Sequence, residues 1–129
     1  MTDATQALSL FDRAGGMAFF EALVGRFYDD VEGDPVIRPL YPDADLAGAR
    51  HRLTLFLAQY WGGPTTYDQE RGHPRLRMRH APFPIGPAER DRWLVHMRAA
   101  ATALAPPPDV AAELDRYFEM AAEAMRNRE

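Results

Sequence analysis

Residues 73–83 read HPRLRMRHAPF, His73 to Phe83, and the fold turns on whether this stretch is a strand or a helix. Arg75, Arg77 and Arg79 alternate with Leu76 and Met78, which by period alone describes a half-exposed strand. The other patterned segments of the chain are helical, however, and a strand without a partner leaves its backbone groups unpaired. Pro74 suits the first turn of a helix and Pro82 helps to end one, so a short helix is expected here. On it Leu76 and His80 share a face four residues apart, with Arg77 and Arg79 on either side of His80. One imidazole then looks inward with two guanidiniums beside it.

Working outward, Phe20, Leu23, Val24, Phe27, Tyr28 and Val31 recur at steps of three and four, a single apolar stripe on a helix. Ser9 to Ala14 predicts a short helix before it, closed by Gly15-Gly16. Gly33, Asp34, Pro35, Pro39 and Pro42 then interrupt regular structure in a loop that carries Leu40 and Tyr41. Leu46, Ala49, Leu53, Phe56, Leu57 and Tyr60 form a second stripe, with Asp43 or Asp45 as its cap and Gly62-Gly63-Pro64 as its stop. A loop is expected from there to His73. Trp93, Met97, Ala100, Ala101 and Leu104 line a helix opened by Pro87 and broken by Pro106-Pro107-Pro108. The last helix carries Val110, Leu114, Tyr117, Phe118, Ala121 and Met125 on one face. The fold class is therefore all-α. The 129 residues, 47% of them hydrophobic, suffice for a single domain over 1–129 that buries about two thirds of its unfolded surface. Residues 1–8 are expected to be flexible.

Composition removes whole classes of chemistry. There is no cysteine, which excludes disulfides, thiolate ligands, iron-sulfur clusters and cysteine nucleophiles together. All 15 basic residues are arginine, so no Schiff base or phosphate-loop lysine exists. Ser9 is the only serine and sits at a helix start, a poor place for a nucleophile. A net charge of -4 argues against general nucleic-acid binding, which needs a basic surface. No run approaches the roughly 18 apolar residues of a membrane span, and the polar, acidic start has no signal-like core, so a cytoplasmic location is the default. Histidine, carboxylate, tyrosine or bound-cofactor chemistry remains.

A lone histidine on a partly apolar helix is more often a hydrogen-bonded core residue than a ligand. The flanking arginines change the weighing. A haem presents an iron that needs an axial nitrogen and two propionates that need cations, so an inward His80 with adjacent arginines matches both ends of one cofactor. A solvated helix face is the plainer account of the arginines. Zinc or di-iron is thinly supported: Glu70 and His73 are three apart, but there is no His-x-x-x-His pair and no second Glu-x-x-His. Pro74 also pushes His73 towards extended geometry. His51 lies off its stripe and belongs at the surface, whereas His96 borders the Trp93-Met97 stripe with nothing to pair with. Tyr28, Tyr41 and Trp93 each put a polar tip on an otherwise apolar face. Singly they read as core filler; together they are able to aim donors at a bound oxygen molecule.

These residues lie in segments that resemble a known family. Tyr60-Trp61-Gly62-Gly63-Pro64, Arg71 to Phe83 (RGHPRLRMRHAPF) and Arg90-Asp91-Arg92-Trp93-Leu94 are similar to the truncated haemoglobins, most closely to their second group, with a tryptophan in the distal pocket. The likeness runs from about Leu10 to Arg126. It implies a shortened globin fold, a two-over-two helical sandwich around a haem b, with Gly15-Gly16 and Gly62-Gly63 at the family's glycine pairs. It implies His80 as the proximal iron ligand, Tyr28 as the distal-helix tyrosine, Tyr41 as the loop aromatic packed on the haem, and Trp93 as the distal donor. Ala49 falls where many globins have a distal histidine. Leu53, Phe56 and Leu76 would wall the pocket, and Arg79 with Tyr67 are candidates for the propionates. The implied function is reversible binding of O2 and related diatomics such as CO or NO. An alternative is a redox enzyme, a nitric-oxide dioxygenase or peroxidase, which needs a reductase or electron source that the chain does not encode. A haem-free helical interaction module is the remote third reading and leaves His80, Arg79 and Trp93 without a joint explanation. Exposed helix faces allow a homo-oligomer without singling out a face.

Overall fold

Each apolar stripe becomes a helix, and the computed structural model describes residues 8–129. The expectation of a flexible 1–8 therefore lies outside the described residues, apart from exposed Leu8. Ser9 caps α1 (Leu10–Ala14) by accepting from the Asp12 N–H at 3.1 Å. The Gly15-Gly16 pair, both at positive φ, turns the chain into α2 (Met17–Glu32). Phe20, Leu23, Val24, Phe27 and Val31 of α2 are wholly buried and Tyr28 nearly so. A 3-10 turn at Arg38–Leu40 leads to α3 (Ala47–Tyr60), where Asp45 rather than Asp43 serves the first turn by accepting from the Ala47 N–H at 3.0 Å.

α2 packs against α3 and against α6 (Pro87–Leu104), and α6 packs against α7 (Pro108–Met125), so the pairs α2–α3 and α6–α7 share a common core. Its centre is Phe20, Phe27, Met97, Leu114 and Phe118, each buried, and each contributes about 1.5 to 3 kcal/mol of transfer free energy. Arg13 ties α1 to Asp109 and Glu113 of α7, and Arg98 ties α6 to Asp115 and Glu119. These pairs are half-exposed, so they orient helices more than they stabilise them.

The second glycine pair is needed for close approach. A side chain at Gly63 would lie 2.6 Å from the Phe11 ring and 2.8 Å from the Ala58 carbonyl. Gly62, at φ 100, lets the chain leave α3 beside Ser9. No described helix is long and apolar enough to cross a membrane.

The structure revises four local expectations. The loop after Pro64 contains a helix, α4 (Thr66–Arg71), too short to show a period in sequence. The helix read from His73 to Phe83 is α5 (Leu76–His80), and Pro74 is not in its first turn: Arg75, in the left-handed region at φ 47, stands between them. Pro108 belongs to the first turn of α7 instead of extending the break. Tyr60 closes the α3 stripe in sequence but is 50% exposed, because the helix ends there and the ring leans on Tyr117 at 4.4 Å between centroids.

Candidate functional site

The three polar aromatics flagged in sequence join one cluster, Tyr28 and Trp93 against the buried Phe27 and Tyr41 against Tyr28. Phe27 of α2 stands edge-on to Tyr28 at 4.9 Å and to Trp93 of α6 at 5.5 Å, and Tyr28 stands edge-on to Tyr41 at 5.5 Å. Helix α2 supplies Tyr28, the 3-10 turn ends at Tyr41, and α6 supplies Trp93, so three separate elements converge here. Burial, chiefly, pushes the Tyr28 hydroxyl well above its ordinary value, and the neighbouring Tyr41 adds to the effect. Burial raises Tyr41 as well, outweighing the opposite influence of the Tyr28 hydroxyl. Both phenols therefore keep their protons through the neutral range. The Arg50 guanidinium covers the Tyr28 ring at 5.9 Å, anchored by the Gly25 carbonyl at 3.0 Å and Asp29 at 2.9 Å.

On α5, the His80 Nδ1 lies 2.7 Å from the Leu76 carbonyl oxygen. A carbonyl only accepts, so Nδ1 carries the proton and the neutral ring presents its lone pair at Nε2. This is the arrangement that orients a metal-binding imidazole. The chain after His80 is fastened from a distance: Asn127 Nδ2 donates to the Phe83 carbonyl at 2.9 Å and the His80 carbonyl at 3.3 Å, and Asn127 Oδ1 accepts from the Ile85 N–H at 2.9 Å. Arg79 Nη2 reaches the Arg71 carbonyl at 3.2 Å, but Arg79 Nε is buried with no hydrogen-bond partner among the described residues. Arg77 is exposed. Of the expected wall, Phe56 and Ala49 are buried, Leu53 and Leu76 are half-buried against the core, and Tyr67 is buried edge-on to Phe56 at 5.7 Å. His73 turns back on its own chain, accepting from the Arg75 N–H at 3.1 Å, and His51 pairs with Glu70 at 3.0 Å at the surface.

The pattern of the bacterial-like globins matches residues 9–127. Among solved structures, the hemoglobin of Chloroflexus aurantiacus is 51% identical and superposes with a TM-score of 0.92 over 95% of this chain and 100% of that one. The hemoglobin of Thermobifida fusca is 54% identical, with a TM-score of 0.91 over 93% and 98%. The group II truncated hemoglobin of Bacillus anthracis is 35% identical, with a TM-score of 0.91 over 96% and 95%.

The chain belongs to the group II truncated haemoglobins.

The group 2 truncated hemoglobin of Bacillus subtilis is 42% identical over 85 residues, 66% of this chain and 64% of that protein. The match thus spans a little under two thirds of that relative and about half of the Arabidopsis thaliana two-on-two hemoglobin-3, of which it covers 53%. The fold is the haem-binding globin fold of truncated haemoglobins, and the residues present fit a haem. An imidazole with its lone pair free at Nε2 would suit a haem iron, and a buried guanidinium nitrogen without a partner among the described residues would suit a propionate carboxylate.

What the sequence reading missed in this truncated haemoglobin is a buried acid. His96, left unpaired above, donates from Nε2 to Asp34 Oδ2 at 2.6 Å, and Arg92 Nε donates to the same oxygen at 2.8 Å. Asp34 is 4% exposed and His96 8%. Burial alone would raise the Asp34 carboxyl, but hydrogen bonds from Arg92, then His96 and the Val36 N–H outweigh it and hold Asp34 far below the ordinary carboxylate range. Asp34 and His96 are 62 residues apart, so no spacing in the sequence announces them.

Proposed function

We propose that this truncated haemoglobin holds a haem b with His80 as its proximal ligand and binds O2 reversibly on the side faced by Tyr28, Tyr41 and Trp93. The observation that carries the reading is the convergence of three protonated donors from three elements on one buried cluster, together with an imidazole whose Nδ1 is committed to a carbonyl. The haem would supply a ferrous iron with one open position for a diatomic ligand. His80 presents Nε2 to that iron, steered by Leu76 and by the Asn127 latch behind it. Arg79 offers its buried Nε to a propionate, and Tyr67 stands nearby in the sequence as the second candidate. Leu53, Phe56 and Leu76 exclude water from the pocket, and Ala49 leaves it open where a larger residue would crowd the ligand. Tyr28, Tyr41 and Trp93 hold their protons for a ligand that gathers negative charge, which favours O2 over CO.

Optical spectra of the haem-supplied protein test this directly, read with haem content in ferric, ferrous, O2 and CO forms. One haem per chain and a stable oxy form are expected. His80→Ala is expected to lose stable haem; a variant that keeps its full complement would refute the ligand assignment, and wild-type protein that takes up no haem would refute the whole reading.

Turnover of NO or peroxide with an external reductant is the second reading, and one observation favours it. From Trp93 a run of rings leads through Phe118 at 5.8 Å, Trp61 at 6.0 Å and Tyr117 at 5.0 Å to the exposed Tyr60 at 4.4 Å. Such a run suits one-electron exchange with a donor at the surface. Turnover assays with NO or peroxide in the presence of a reductant separate an enzyme from a carrier.

A further inference from the structure

We infer that Asp34 is a positioning residue for the ligand side of the pocket, setting Trp93 and Tyr41 through one buried carboxylate. The inference rests on the haem-site reading above. Asp34 lies two residues past the end of α2 and is fixed to it by its own N–H, which donates to the Val31 carbonyl at 3.0 Å. Its carbonyl accepts from the Arg38 N–H at 2.9 Å and its Oδ1 from the Val36 N–H at 2.8 Å, which sets the path of the loop to Tyr41. Arg38 in turn donates from Nη1 to the Tyr41 carbonyl at 2.9 Å, so the loop's far end is held through the same residues.

Oδ2 faces the opposite way. It takes Arg92 and His96 of α6, one residue before Trp93 and three residues after it. With both donors on one oxygen, α6 cannot rotate or slide at Trp93 without breaking a charge-assisted hydrogen bond. The Asp34 side chain is 2% exposed, so water is poorly placed to replace a lost partner. An apolar residue would fill this space without the cost of burying a charge. What the carboxylate adds is direction: two elements bearing donors are referred to a single point just past the end of α2, the helix that carries the third donor, Tyr28.

The chain has two tryptophans, so a Trp61→Phe background leaves Trp93 as the sole indole. In haem-free protein of that background, Asp34→Asn and Asp34→Ala are expected to expose Trp93 to acrylamide quenching and to weaken its near-ultraviolet dichroism. In haem-loaded protein with wild-type haem content, they are expected to speed O2 dissociation by about fivefold, the scale of a donor partly lost. Asp34→Ala combined with Trp93→Phe and Tyr41→Phe is expected to add almost nothing further, because the acid acts through those donors. The same acceleration with and without the donors would overturn the inference, as would unchanged quenching and unchanged dissociation. Should Asp34→Ala fail to fold, His96→Phe removes one of the two α6 donors, leaves the loop arm intact and is expected to affect Trp93 but not Tyr41. Should the wild-type protein take up no haem, the haem reading fails, and the quenching result still decides whether Asp34 fixes the indole.

Discussion

Replacing Trp93 by phenylalanine separates the donor of the indole from its bulk. The ring is edge-on to Phe27 at 5.5 Å and to Phe118 at 5.8 Å, and phenylalanine is able to keep both contacts while losing the N–H. Phe118 is buried behind it and Phe27 is fully enclosed, so the backing of the site should stay in place. A hydrogen bond to a ligand that gathers charge is worth about 1 to 3 kcal/mol in such surroundings. At 1.4 kcal/mol for each factor of ten, O2 dissociation from Trp93→Phe is expected to quicken by roughly 5- to 150-fold. CO gathers little charge, and its release should change far less. Stopped-flow displacement of O2 and of CO measures both rates on one preparation of known haem content. O2 release at the wild-type rate would refute the assignment of Trp93 as a donor. Equal acceleration of both ligands would refute it too, since that pattern comes from a loosened pocket and not from a missing N–H.

Gly63→Ala is expected to destabilise the fold by about 1 to 3 kcal/mol, because the new methyl meets the Phe11 ring and the Ala58 carbonyl, the latter unable to yield without moving α3. Gly33→Ala, whose nearest obstacle is 3.9 Å away, should change the denaturant midpoint little, and equal losses in the two variants would show that the crowding at Gly63 is unimportant. Asp34 gives a pH dependence with a definite sign. Its carboxyl is depressed in the folded state, so its contribution is complete above the unfolded value of about 3.9 and is lost as pH falls below that towards the folded value. Thermal unfolding of wild type and Asp34→Asn from pH 7 to 3 should therefore show a constant gap down to about pH 4 and a narrowing gap below it; a gap that stays constant to pH 3 would contradict the depressed carboxyl.

The parts of this protein that were legible in its sequence are those written in local pattern. The α2 stripe from Phe20 to Val31 is buried almost without exception, because three- and four-residue steps translate directly into one helix face. The stretch from His73 to Phe83 was legible only by elimination: its alternating arginines mimic a strand, and the absence of any strand partner decides for a helix. Even so, Pro74 misled the helix start, since the left-handed Arg75 is a property of how the chain arrives from Gly72 and not of residue preference. Tyr60 illustrates the opposite limit. Its spacing continues the α3 stripe, but a period says which face a residue occupies and not whether another helix covers that end.

The Asp34 cluster lies beyond all such reading. In sequence Asp34 sits in Gly-Asp-Pro, a turn signal, and His96 is one polar residue beside an apolar stripe; each has an ordinary local explanation. The pair exists only because α2 and α6 pack against each other, which brings residues 62 apart to 2.6 Å. The division follows from how the site is built. Ligating and donating groups must project from particular faces, so their spacing records their role, whereas a residue that aligns two elements needs only to lie where they meet. On the proposed function, a sequence carrying His80, Tyr28, Tyr41 and Trp93 specifies what the pocket offers a ligand, and on the further inference Asp34, identical in kind to any surface carboxylate until the chain folds, governs how firmly those donors are held.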